Sequence, residues 1–224
     1  MKILAFEFSS PQRSVAVLHA DAGGRGRALS EVLESAPRNT MKPLGMVEST
    51  LQQAGLEREQ IECIAIGLGP GSYTGIRAAI ALAQGWLLGR EVKLLGVSSA
   101  ECVAAQAQAD GLRGKINVVI DAQRGEFYLA GYELDDLAAR EVAPLRIVSL
   151  TEVRAQTDTL LIGPEVTKWF LNGRVVFPQA AMLARLALSR TDFVAGEQIE
   201  PIYLRETTFV KAPPSRALPR GESP

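Results

Sequence analysis

Histidine is nearly absent from this chain, His19 being the one histidine among 224 residues. That scarcity excludes a metal site built on a pair of histidines and leaves no Ser-His-Asp triad away from His19 itself, which reads as an ordinary exposed strand residue. Cysteine is scarce as well. Cys63 and Cys102 sit in apolar segments without Cys-x-x-Cys spacing, which predicts buried free thiols in a reducing compartment. Long hydrophobic runs are missing: none approaches the roughly 18 apolar residues of a transmembrane helix. The short apolar run at residues 3–8 is interrupted by Glu7 and lacks the cleavage site of a signal peptide. A soluble cytoplasmic protein without membrane contact is the expectation. Neither sign of charge dominates, since 24 Lys and Arg face 25 Asp and Glu for a net −1, so the chain has no global attraction to nucleic acid.

What is present is ample core material. Apolar residues make up 47% and charged residues 22%, enough for one large domain or two α/β lobes. Residues 3–8 read as a central strand, and 14–19 return as its hairpin partner across Ser9-Ser10-Pro11-Gln12. A flexible turn follows at 22–26, and 28–34 reads as a third strand or a helix. Asn39 or Thr40 can cap a helix to Ala54, closed by Gly55, with Leu44, Val47, Leu51 and Ala54 on one stripe. Strands are expected at 61–66, 93–97 and 116–121, with helices at 74–88 and 98–109. The second half opens as the first does, with a strand ending on an acidic residue, a polar turn and a returning strand at 126–132. A further strand ends at Ile147-Val148, then strands at 159–162 and 175–177 alternate with helices at 151–155, 165–171 and 179–189. The division expected is an N-terminal lobe over 1–98, a C-terminal lobe over 99–210 and an unstructured proline-rich tail over 211–224.

The most informative stretch is Gly67-Leu68-Gly69-Pro70-Gly71-Ser72-Tyr73-Thr74-Gly75-Ile76-Arg77, placed between a strand and a helix. Gly69, Gly71 and Gly75 allow close backbone approach, and Ser72 or Thr74 can cap the helix that follows. Such a turn either presents amides to an anion or serves as a purely structural bend. It lacks the Lys-Ser/Thr ending of a P-loop and the dinucleotide spacing. Asp121, at a strand end, either orients Mg²⁺ or a polar ligand, or forms the turn that follows it. Arg77 and Arg124, each beside a glycine turn, suit phosphate or a partner's carboxylate, or stand as solvated charges. The helix after the turn carries Gly75, Ala78, Ala79, Ala81, Ala83, Gly85 and Gly89. A helix so poor in side-chain volume has a close neighbour, either its own sheet or another protein.

The glycine stretch resembles the G-x-G-P-G-S-[FY]-T-G-[VIL]-R signature of the TsaB (YeaZ) family. Gly96-Val97-Ser98-Ser99, residues 121–128 and Pro201-Ile202-Tyr203-Leu204-Arg205 follow in that family's order, so the resemblance spans almost the whole chain. It implies a two-lobed actin-like (ASKHA) α/β fold. It also implies a non-catalytic subunit of the complex that places threonylcarbamoyl on the tRNA adenosine next to the anticodon. The partners implied are the catalytic subunit TsaD, the ATPase TsaE, a second copy of the chain in a homodimer, and tRNA only through the complex. The family's paired helices imply a partner interface on the segments at 40–54 and 74–88. Its candidate residues are Leu44, Val47 and Leu51 on the first, and Ile76, Arg77, Ala79, Ile80, Ala83 and Leu87 on the second. No intrinsic cofactor or metal follows; ATP and Mg²⁺ enter at the level of the complex. The alternative is an independent actin-like ATPase or small kinase holding nucleotide on Gly69, Gly71, Ser72, Thr74 and Gly75, with Asp121 and Arg124 opposite. Three departures weigh against it: Glu7 stands where the family has aspartate, Gln123 stands where it has arginine, and the helix near 41–54 lacks the histidine the family often carries near its start.

Overall fold

The computed structural model describes residues 1–21, 26–35, 42–156 and 158–204. Asn39, Thr40, most of the turn at 22–26 and the tail at 211–224 lie outside the described residues. The first sheet is built from β1 (Lys2–Glu7), β2 (Arg13–Ala20), β3 (Gly26–Glu34), β4 (Cys63–Gly67) and β5 (Lys93–Val97) in the order β3-β2-β1-β4-β5. β1 to β3 form an antiparallel meander, while β4 and β5 run parallel to β1. The segment at 28–34, open between strand and helix in sequence, is therefore strand.

β1 is apolar on both faces because both are covered. Leu4 and Phe6 point into a core with α1 (Pro43–Ala54) and α2 (Tyr73–Leu87), and Ile3 and Ala5 into a second core on the opposite face. α1 opens on Pro43, where a missing N–H is harmless, and ends on Gly55 in the left-handed region. Ser72 caps α2 by accepting the Gly75 amide.

The second sheet repeats the plan. β6 (Gly114–Gln123), β7 (Glu126–Leu134) and β8 (Ala139–Ser149) form the meander, and β9 (Leu160–Gly163) and β10 (Arg174–Val175) complete the order β10-β9-β6-β7-β8. This duplicated pattern is the two-lobed actin-like (ASKHA) α/β architecture. Between the sheets runs α3 (Ser99–Ala109), capped by Ser98. Its Cys102 and Ala105 join the core of the first sheet, while Ala100, Val103, Ala104 and Ala107 join that of the second. A helix used on two sides is apolar nearly all round. On the far face of the second sheet lies the short α4 (Leu150–Arg154), capped by Ser149.

Two expectations are corrected. Residues 165–171 form only a single 3-10 turn, Val166–Lys168, because Trp169 and Phe170 dock edge-on against Phe127 at 5.5 Å and Gly173 follows at once. The linear division at residue 98 does not follow the packing either. α5 (Ala180–Leu188) returns to the first sheet, burying Ala180, Leu183, Ala184 and Ala187 against Ile3, Ala16 and Cys63. Its first amides are satisfied from afar, Ala180 by the Ser14 hydroxyl at 2.7 Å and Ala181 by the Glu31 carboxylate at 3.0 Å. The chain then bridges Val194 to Leu94 at the β5 edge, buries Ile199 and donates the Ile202 amide to the Leu68 carbonyl.

Candidate functional site: a closed glycine turn and an exposed helix face

β4 delivers the chain into the turn at 68–72, where glycine is needed at two places. Gly69 lies at φ +87°, and a Cβ on Gly71 would fall against the Ser9 carbonyl. Gly75 has an ordinary helical backbone; glycine is needed there because a side chain would strike the Phe8 carbonyl. Three of the turn's amides are engaged internally. Leu68 donates to the Val97 carbonyl at 2.9 Å, Gly69 to the Ser99 hydroxyl at 3.1 Å and Ser72 to the Ser9 carbonyl at 2.7 Å. The geometry of these three amides is that of a structural bend. Thr74 faces solvent in the first turn of α2.

Glu7 closes the space behind the turn. Its side chain is fully buried, accepts the Ser9 amide at 2.8 Å and the Ser99 hydroxyl at 2.9 Å, and lies against the bare α-carbon of Gly67. Burial pushes its carboxyl above the usual glutamate range, and the hydrogen bonds from Ser9 and Ser99 oppose that rise without cancelling it.

Asp121 sits at the β6–β7 hairpin. Both of its oxygens are used by Gln123, one by the amide at 2.7 Å and one by the side chain at 3.1 Å. Gln123 and Arg124 lie at φ +66° and +60°, so the carboxylate braces a tight reversal and acts as the turn former. Arg124 is exposed, and among the described residues no hydrogen bond or ion pair joins it or Asp121 to the glycine turn. Nor does any group of three or more His, Cys, Asp and Glu among the described residues stand close enough to hold a metal ion. A cavity of about 230 Å³ between α3 and β7–β8 is lined by Ser98, Glu101, Tyr132, Ala139 and Glu141, well removed from phosphate chemistry in its charge.

The helix pair reverses much of the sequence-based assignment. Val47, Leu51, Ile76, Ala79, Ile80 and Ala83 are all buried in the protein's own core, and Leu87 is half-buried. They are the apolar residues of amphipathic helices, and the sheet has already taken them. Leu44 and Arg77 alone of the candidates are exposed. The outward stripe of α2 is Thr74, Ala81 and Gly85, with the half-buried Ala78 between them, continued by Leu88, which is 91% exposed. The signal was available in the helical period, since 74, 78, 81, 85 and 88 run opposite the core positions. At one end of this stripe Arg77 donates to the Tyr73 hydroxyl at 2.6 Å, and the Tyr203 ring packs on Tyr73 at 5.7 Å. At the other, Arg58 lies over Trp86.

The comparisons with known proteins decide the family. The model of the family described as TsaD: tRNA N6-adenosine threonylcarbamoyltransferase matches residues 34–201. The chain belongs to that family, in its TsaB branch. The TsaB protein of Escherichia coli, a tRNA threonylcarbamoyladenosine biosynthesis protein, is 29% identical over 96% of this chain and all of its own length. The TsaB protein of Haemophilus influenzae is 26% identical over 95% of this chain and 98% of its own. YeaZ of Pseudomonas aeruginosa superposes with a TM-score of 0.75 at 27% identity, covering 91% of this chain and 99% of that one. A second Pseudomonas aeruginosa structure, described as similar to peptidase YEAZ, gives 0.77 at 29% identity over the same shares. Among the described residues no helix is long and apolar enough to cross a membrane.

Proposed function

We infer that this TsaB-family chain is a non-catalytic, cytoplasmic partner subunit of the complex that attaches threonylcarbamoyl to the tRNA adenosine next to the anticodon. The observation that carries the reading is the outer face of α2, whose small residues let a partner helix approach closely between the aromatic and leucine side chains at either end. Central apolar contacts of that kind supply most of the energy of an interface. The partner proposed is TsaD, with TsaE joining the assembly and tRNA reached only through it. A homodimer using the same face competes with TsaD. The three engaged amides of the glycine turn and the turn-forming use of Asp121 support a subunit without its own nucleotide chemistry. ATP and Mg²⁺ then enter through the other components.

Co-purification tests the reading. Tagged wild-type protein retains TsaD, and Ala81→Arg, an exposed change, loses it while keeping its circular dichroism spectrum. Undiminished retention by Ala81→Arg would place the contact elsewhere. Micromolar Mg-ATP binding with turnover by the isolated chain would favour the ATPase alternative instead.

A further inference from the structure

The carboxyl of Glu7 is buried completely, yet it forms no ion pair among the described residues, and what surrounds it is a set of donors. Ser9 offers its amide to the carboxyl at 2.8 Å. Ser99 offers its hydroxyl at 2.9 Å while its oxygen accepts the Gly69 amide. Gly67 supplies the floor, since a Cβ there would overlap a Glu7 oxygen. Donors converging on one carboxyl above a bare α-carbon are the chemistry of an oxyanion site. We propose that Glu7 is a built-in ligand filling an oxyanion cradle formed by Ser9, Ser99 and Gly67, and that the cradle takes a small carboxylate from solution once the Glu7 side chain is removed. Ser9 and Ser99 thus spend anion-binding donors on the chain's own side chain. The proposal concerns the isolated chain and stands apart from the partner-subunit reading.

The test is chemical rescue followed by thermal melting at neutral pH. Glu7→Ala orphans the donors of Ser9 and Ser99 and lowers the melting temperature. Sodium formate then raises it saturably by several degrees, beyond an equal concentration of sodium chloride, and does not do so for wild type. Burial opposes charge in this place, so the affinity expected is weak, about millimolar. Glu7→Gln fills the cradle with a neutral side chain of the same shape and gains nothing from formate. If Glu7→Ala does not fold in plain buffer, its refolding yield in formate against chloride gives the same reading. Formate no better than chloride for Glu7→Ala overturns the proposal. So does an equal response from wild type or from Glu7→Gln.

Discussion

Ser99 donates its hydroxyl to Glu7 across 92 positions of chain. This bond ties the end of β1 to the start of the helix that both sheets share, and the Gly69 amide, bonded to the same oxygen, ties in the glycine turn. The junction explains why so many of the predictions below meet near residue 7.

Gly71→Val and Gly75→Val are expected to destabilise the protein by about 3 kcal/mol or more, since each side chain must displace the backbone of Ser9 or Phe8. Ser72→Ala removes one cap and costs about 1 kcal/mol. Urea denaturation of the three variants gives this order; equal midpoints would remove the turn from its organising place.

The faces of α2 separate folding from assembly. Ala79→Arg and Ala83→Glu put a charge at positions with no exposed surface, so both should fail to fold and cannot probe an interface. Gly85→Ala meets open space and should stabilise the free protein by about 1 kcal/mol through helix propensity. Under the partner reading, Gly85→Ala nonetheless weakens TsaD binding, because a methyl group intrudes on a close helix contact. Tighter binding in step with the higher stability argues against that face.

Glu7 makes stability fall with rising pH. Its folded carboxyl holds the proton more tightly than the unfolded value of 4.5, so its contribution is complete below that value and is lost as pH rises through the folded one. Glu31, raised by burial against the Ala181 amide and Arg185, acts in the same direction. Urea midpoints measured from pH 4.5 upward should therefore decline less steeply in Glu7→Gln than in wild type. Identical slopes would mean that Glu7 does not titrate differently on folding.

Both thiols should be silent in the native state. Burial pushes Cys63 up to about 11 and Cys102 well above its ordinary value, so little thiolate is present at neutral pH. A colorimetric thiol reagent should react with neither until denaturant is added, and then with both.

Asp121→Ala removes two hydrogen bonds from an exposed hairpin and is expected to cost about 1 kcal/mol, with no Mg-dependent ATPase activity to abolish. A robust wild-type ATPase lost in this variant would restore Asp121 as a ligand of metal or nucleotide.

Local chemistry made much of the architecture legible without a structure. The repeated strand, polar turn and returning strand announced two related sheets, and Ser72, Ser98 and Gly55 marked helix ends through contacts only a few residues away. The aromatic pair Trp169-Phe170 defeated the same reasoning, because docking on Phe127 overrode the local helical pattern.

The sequence by itself determined most of the elements, the glycine turn and the family signature, since capping, periodicity and backbone freedom act over a handful of residues. The tertiary structure decided which face of α2 looks outward, where α5 belongs and what Glu7 touches. Apolar periodicity identifies a helix's sticky side but not whether its own sheet or a partner covers it, and here the sheet covers Val47, Leu51, Ile76, Ala79, Ile80 and Ala83. Ser99 meets Glu7, and Ser14 meets the start of α5, only after two sheets have packed around a shared helix, and no local pattern records contacts made at that separation.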